Sequence, residues 1–337
     1  MVMQTVLDVQ ELTTLLKLEG SCFPVVRGIS FKLYEGQTLA LVGETGCGKS
    51  MTALSLLGIA PQPPTLPSTG QVLYQDKNLL TLPKQHMRSM RGRHLAMIFQ
   101  DPRSCLNPVC TLGEQLLETC YAHLKISHEQ AYQRCLHVLE EVQLSHPEMM
   151  MKTYPHQLSG GMLQRAMIAM ALICEPNILI ADEPTTALDV TIQKQILQLL
   201  KEIQNRRGMS ILLITHDMGV VAELAHHLAV LYAGEIIEHG STQAIFQNPA
   251  HPYTQALFAA RPNRPLKEGR LPVLEGHVPS ARQLPSGCPF HPRCVYQMPQ
   301  CTHEAPSYFA LPNPSHHAKC WLFDPTLAWR VDADPSF

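Results

Sequence analysis

TLALVGETGCGKSMTALSLLG, Thr38 to Gly58, is the stretch on which the fold turns. It opens with a mostly apolar run of strand length and closes with a run of helix formers that begins at Met51. Between them stand Gly43, Glu44, Thr45, Gly46, Cys47, Gly48, Lys49 and Ser50. A glycine-rich turn that joins a strand to a helix lets successive backbone N–H groups, and the positive end of the helix, face one anionic phosphate. In such a loop Lys49 is expected to reach the β- and γ-phosphates of a nucleoside triphosphate, and the Ser50 hydroxyl to hold Mg²⁺.

Working outward, short apolar runs at Ala96 to Phe99, Ile178 to Ala181, Ile211 to Thr215 and Leu228 to Tyr232 alternate with longer amphipathic stretches up to about residue 255. That alternation predicts an α/β domain around a mostly parallel sheet. Between Gln100 and Ser159 the strand signals stop. There Glu129 to Leu144 sets Ala131, Cys135, Leu136, Leu139 and Val142 on one helical face, which predicts an inserted helical subdomain over about 101–170. From 256 to 337 the texture becomes rich in proline and turns, as in ARPNRPLKEGRLP and VPSARQLPSGCPFHPRC. With so few periodic apolar residues, this extension is expected to be held by something other than hydrophobic burial.

Two further stretches belong with the glycine loop. ILIADE delivers Asp182 and Glu183 at the end of an apolar run. Asp182 suits a Mg²⁺ carboxylate, and Glu183 a base or positioner for the water that attacks a γ-phosphate. In LSGGMLQR, Leu158 to Arg165, Ser159, Gly160 and Gly161 open a helix whose backbone donors point outward at the glycines, a second anion-binding end.

With LSGGMLQR the chain resembles the ATPases of ABC transporters, and the remaining landmarks follow in that family's order: Gln100 after AMIF, Asp189 in TTALD, His216 after SILLIT. The resemblance implies that Gln100 senses Mg²⁺ and the membrane partner, that Asp189 lies at a dimer interface, and that His216 contacts the γ-phosphate. It also implies that Ser159, Gly160 and Gly161 close over ATP held by a partner subunit. QDPRSCLNP (Gln100 to Pro108), YPHQLSGGMLQRAMIAMAL (Tyr154 to Leu172), ADEPTTALDVTIQ (Ala181 to Gln193) and NPAHPYTQAL (Asn248 to Leu257) bring the resemblance closest to the dipeptide, oligopeptide and nickel importer class. Met162 replaces a glutamine common in the wider family, a change usual in this class. Phe23 is a candidate for the aromatic residue that stacks on adenine. The resemblance thus implies an ATPase on the cytoplasmic face of the membrane, with two transmembrane permease subunits, a second and preferably different ATPase subunit, and a solute-binding protein as indirect partner. The solute itself, peptide or nickel chelate, stays open.

Charge and composition narrow the alternatives. The 26 basic and 28 acidic side chains leave a formal charge of −2, no electrostatic case for a nucleic-acid partner. A soluble, non-transport ABC ATPase would be expected to carry two cassettes or a long coiled coil. The apolar runs fall far below the roughly 20 residues that cross a bilayer, and the start lacks an export signal. Of the 11 cysteines, Cys22, Cys47, Cys105, Cys110, Cys120, Cys135 and Cys174 read as small buried hydrophobes. The other four, Cys288, Cys294, Cys301 and Cys320, gather in the extension and suit a [4Fe–4S] cluster or Zn²⁺ as a structural centre, with His291 and His303 as alternative ligands. Their spacing leaves the choice open; the resemblance favours iron–sulfur.

Overall fold

Apolar runs become strands and amphipathic stretches helices in the computed structural model, which describes residues 3–186, 188–259 and 274–327. The run ARPNRPLKEGRLP and Ala187 lie outside those residues. The chain begins β1 (Thr5–Leu18), β2 (Ser21–Tyr34), β3 (Thr38–Val42), α1 (Lys49–Leu56), β4 (Thr69–Tyr74), β5 (Lys77–Asn78), α2 (Lys84–Met90) and β6 (Leu95–Ile98). The helical stretch follows as α3 (Pro102–Cys105), α4 (Leu112–His123), α5 (His128–Glu141), α6 (Pro147–Met150) and α7 (Gly160–Leu172). Then come β7 (Ile178–Asp182), α8 (Val190–Arg207), β8 (Ser210–Thr215), α9 (Met218–Leu224), β9 (His227–Tyr232), β10 (Glu235–Ser241), α10 (Thr242–Gln247) and α11 (Pro252–Ala259), with β11 (Phe309–Ala310) and β12 (His317–Ala318) in the extension. No helix among the described residues is long and apolar enough to cross a membrane.

Two compact units form, each from separated stretches of chain. The first takes residues 3–6, 33–38 and 81–214. Its strands β6, β7 and β8 are parallel, with Leu95 opposite Ile178 and Ile178 opposite Ser210. The wholly buried runs of β7 and β8 are the near-continuous apolar sequence expected of a parallel sheet. The stretch from Pro102 to Leu172 is helical, and each long helix is capped by its own sequence. Thr111 and Ser127 open α4 and α5 with capping boxes completed by Glu114 and Gln130, satisfying donors the first turn would leave bare. On α5 the buried face consists of Ala131, Cys135, Val138 and Leu139; the expected Leu136 is only half-buried, and Val138 takes its place. The face is displaced by part of a turn toward the i, i+3, i+4 row that starts at Cys135.

The second unit takes residues 7–32, 39–80 and 215–327. An antiparallel sheet in the order β2, β1, β4, β5 pairs Leu7 with Tyr74 and Val9 with Val72. These strands depart from the expected βα alternation, because β1 and β2 carry mixed rather than cleanly alternating residues. In the same unit β3 runs parallel to β9, and β9 antiparallel to β10.

The extension corrects the sequence reading most. Rather than lacking any share in a core, it adds β12 to the edge of β10, with His239 opposite His317 and Glu238 opposite Ala318, and then β11 beyond it. Phe290 is buried with Val42, Val230, Tyr232 and Tyr253, and Leu274, Val278 and Leu284 pack against that cluster. Burial of scattered apolar residues therefore does hold the extension, at positions too widely spaced to register as a periodic pattern.

A polar clasp accompanies that packing. Glu238, fully buried, accepts the Ala250 and His251 N–H groups at 2.8 Å each, and its Oε1 lies 2.7 Å from His316 Nε2. Glu238→Ala strands two buried backbone donors and the imidazole. It is expected to lower stability by about 3 kcal/mol, measurable as a fall in the denaturant midpoint.

Beside the clasp, His239 stacks on His317 with centroids 4.9 Å apart and meets the Tyr308 ring edge-on. Burial first, then His317 and His316, pushes its pKa down to about 4. Because the folded pKa lies below the unfolded value of about 6.5, the unfolded chain binds more protons as pH falls. The contribution is complete above about pH 6.5 and is lost as pH drops toward 4. His239→Gln is expected to flatten the fall of Tm between those pH values relative to the native chain.

Candidate functional site

The glycine loop lies in the second unit, directly after β3 and before α1. A Cβ at Gly43 would stand 2.3 Å from the Leu231 carbonyl oxygen. Gly48, at φ 107°, would bring one 2.6 Å from the Val25 oxygen, so neither position admits a side chain. Lys49 is 5% exposed, and its Nζ donates to the Gly43 and Glu44 carbonyl oxygens at 2.7 and 3.0 Å. The ammonium is thereby held over the loop. Ser50 is exposed at the start of α1, whereas Cys47 is buried and its thiol is pushed up by burial against the lowering influence of Lys49.

Glu44 is fixed from several sides. Its N–H donates to the Tyr253 hydroxyl at 2.8 Å, and its carboxylate takes two bonds from Arg293, Nη1 to Oε1 at 3.0 Å and Nη2 to Oε2 at 3.1 Å. Sequence reasoning missed Tyr253 and Arg293 as partners of the loop. Tyr253 lay in the quoted NPAHPYTQAL stretch, but nothing local tied either residue to Glu44. In the same unit His216 is exposed just past β8, and Asp217 caps α9 through the Gly219 N–H at 2.7 Å. Phe23, the candidate adenine platform, is half-buried with the Arg282 guanidinium 5.5 Å from its ring centroid.

The first unit carries the other landmarks. Asp182 ends β7 and is 4% exposed. Glu183 follows at φ 48°, its N–H bonded to the Ile214 carbonyl at 2.8 Å. One carboxylate oxygen of Glu183 accepts from Gln100 Nε2 at 2.9 Å and from Thr186 Oγ1 at 2.8 Å. Gln100 and Glu183, 83 positions apart, are therefore direct partners. Ser159 and Gly160 lie exposed at the start of α7, Gly161 and Met162 are half-buried, and the Ser159 hydroxyl accepts the Met162 N–H. The helix is anchored from behind by buried Arg165, which donates to the Val142 carbonyl at 2.8 Å. Asp189 caps α8 by accepting the Thr191 and Ile192 N–H groups.

The cysteines divide differently from expectation. Cys47, Cys120, Cys135 and Cys174 are buried as small hydrophobes, but Cys22 is exposed and Cys105 and Cys110 are half-buried, because they fall at the start of the edge strand β2, at the end of the short α3 and in the turn before α4. Cys288, Cys294, Cys301 and Cys320 line one cavity together with His251, Phe290 and His291; His303 is not among the lining residues. Burial raises the Cys288 and Cys320 thiols to about 11 and about 12, with the neighbouring thiols adding to the shift. Among the described residues no three His, Cys, Asp or Glu side chains form a group arranged to hold a metal ion.

With this geometry in place, the comparisons are specific. Residues 26–186 match the ABC transporter family, and residues 237–301 match the oligopeptide/dipeptide transporter C-terminal region. The chain is 47% identical over 322 residues to the dipeptide transport ATP-binding protein DppD of Bacillus subtilis, covering 96% of each. To the oligopeptide transport ATP-binding protein OppD of the same organism it is 43% identical, over 95% of this chain and 89% of that one. For DppD of Escherichia coli the identity is 41%, over 93% and 95%. Among solved structures, the dimeric ATP-binding cassette MJ0796 in a post-hydrolysis state with ADP and phosphate aligns with a TM-score of 0.62 at 25% identity, over 70% of this chain and 98% of that one. The glycine loop between β3 and α1, the carboxylate pair at the end of β7, the serine and glycines that open α7 and these near full-length matches agree, and the chain belongs to the ABC transporter family, as an ATP-hydrolysing subunit of its oligopeptide/dipeptide group.

Proposed function

We propose that this subunit energises the import of dipeptides and oligopeptides across the cytoplasmic membrane. The match of residues 237–301 to the oligopeptide/dipeptide C-terminal region carries that reading. In it, residues 1–255 form the ATPase with a helical subdomain at about 101–170, and residues 256–337 the extension. The chain works on the cytoplasmic face against two transmembrane permease subunits, paired with a second, different ATPase subunit. The dimeric state of the similar MJ0796 cassette supports pairing of two ATPase subunits.

The roles follow from side-chain chemistry. The amides of Gly43 to Met51 bind the phosphates, and Lys49 brings positive charge to the β- and γ-phosphates. Ser50, Asp182 and Gln100 offer the oxygen ligands Mg²⁺ prefers, and the ion when bound neutralises charge on the phosphates. Glu183 orients the attacking water, and His216 contacts the γ-phosphate. Ser159, Gly160 and Gly161 serve the nucleotide of the partner subunit.

The four cavity cysteines are proposed to hold a [4Fe–4S] cluster. Four thiols line one cavity, which is the number and kind of ligand such a cluster takes. Iron and acid-labile sulfide in stoichiometric amounts would support the cluster; zinc without sulfide would replace it with a tetrahedral Zn²⁺ site.

ATP hydrolysis by the membrane-assembled complex, with its solute-binding protein loaded with short peptides or with a nickel chelate, tests the transport reading. Stimulation by peptide is the expected result. Stimulation by the chelate alone would reassign the solute to metal, and stimulation by neither would reject import of either.

A further inference from the structure

A carboxylate in a phosphate-binding loop is electrostatically adverse, because a like charge a few Å from a polyphosphate opposes its binding. Glu44 stands second in this loop. Its charge is met by Arg293, whose side chain is 6% exposed and whose paired bonds to both carboxylate oxygens form the bidentate arrangement in which Arg–carboxylate attraction is strongest.

The guanidinium is itself fixed. Its Nε donates to the Glu275 carbonyl at 2.9 Å and Nη2 to the Gly276 carbonyl at 3.4 Å, and it lies over the Tyr232 ring with the centroid at 5.8 Å. Tyr232, Tyr253 and Phe290 meet edge to face with centroids 4.7 to 5.5 Å apart. Tyr253 in turn accepts the Glu44 N–H, while Lys49 takes the Glu44 carbonyl. The second residue of the loop is therefore held at its amide, its carbonyl and its side chain, and the side-chain hold comes from the extension, at the residue directly before Cys294.

We propose that Arg293 is a positioning residue for ATP: by neutralising and anchoring Glu44, it keeps the phosphate loop receptive, so that the C-terminal extension sets the affinity of the subunit for nucleotide. The proposal rests on the assignment of Gly43 to Ser50 as the ATP loop. A native chain with no ATP affinity would sink that assignment, whereas the comparison of variants below judges Arg293.

The test measures Mg·ATP affinity by displacement of a fluorescent ATP analogue from the full-length chain, with KM and kcat from steady-state hydrolysis. Arg293→Gln leaves Glu44 charged and unpaired and is expected to raise Kd and KM by about tenfold, the effect falling on KM rather than kcat. Adding Glu44→Gln removes the charge that needed a partner, and the double variant is expected to return to within about threefold of the native Kd. Native affinity in Arg293→Gln would overturn the proposal. So would a double variant as weak as the single one, since packing alone would then explain the loss. If Arg293→Gln does not fold, Glu44→Gln decides: binding at least as tight as native is expected, and weaker binding overturns the charge argument.

Discussion

Replacing Glu183 by Gln is expected to leave Mg·ATP binding within a few-fold of native and to lower hydrolysis by about 10² or more. The substitution keeps the volume of the side chain and one oxygen to accept from Gln100 and Thr186, which bond to a single carboxylate oxygen in the native chain. The position of residue 183 is also secured by its backbone, through the N–H bond to Ile214. What disappears is the anionic oxygen that orients and polarises water. Binding and turnover should therefore separate, with ATP retained on the variant and no phosphate released in a single-turnover experiment. Hydrolysis at near-native rate in Glu183→Gln would remove this carboxylate from the chemistry and leave it as the hydrogen-bond partner of Gln100.

Lys49→Ala is expected to weaken ATP binding by about 10² and to take hydrolysis with it. The ammonium is 5% exposed, and its two short bonds go to carbonyl oxygens of its own loop. A buried cation held by the dipoles of its own loop is suited to an anion, because its orientation is already fixed. Alanine removes the charge and leaves the Gly43 and Glu44 carbonyls without that donor. Equilibrium binding of ATP checks the prediction directly, and native affinity in Lys49→Ala would mean that the phosphates bind elsewhere. The effect differs in kind from that expected of Arg293→Gln, where a repulsive charge is unmasked and a second substitution restores affinity.

The two predictions also show how far sequence reaches. The glycine loop, the carboxylates after β7 and the exposed start of α7 could be read from contiguous residues, because turn geometry, helix capping and the direction of backbone donors depend on neighbours a few positions apart. The strand at Thr38–Val42 was located to the residue, and those around Ile98, Asp182, Thr215 and Tyr232 to within one position at either end, because buried parallel strands are short unbroken apolar runs. The antiparallel strands β1, β2 and β4 were not foreseen, since sheets with mixed faces blur the alternation on which recognition depends. On α5 the exchange of Leu136 for Val138 reflects a helical face turned by what packs against it.

The sequence by itself determined the local features on which the proposed nucleotide chemistry rests: a glycine loop and its lysine between a strand and a helix, and two carboxylates at the end of another strand. Only the tertiary structure decided that Glu183 is gripped by Gln100, that the four extension cysteines share a cavity, and that Arg293 neutralises Glu44 across a separation of 249 positions. The physical reason is one of range. Loops and caps are closed by bonds between near neighbours, whose spacing is visible in the chain. A buried ion pair between distant residues depends on where packing brings two backbones together, and no local spacing records it.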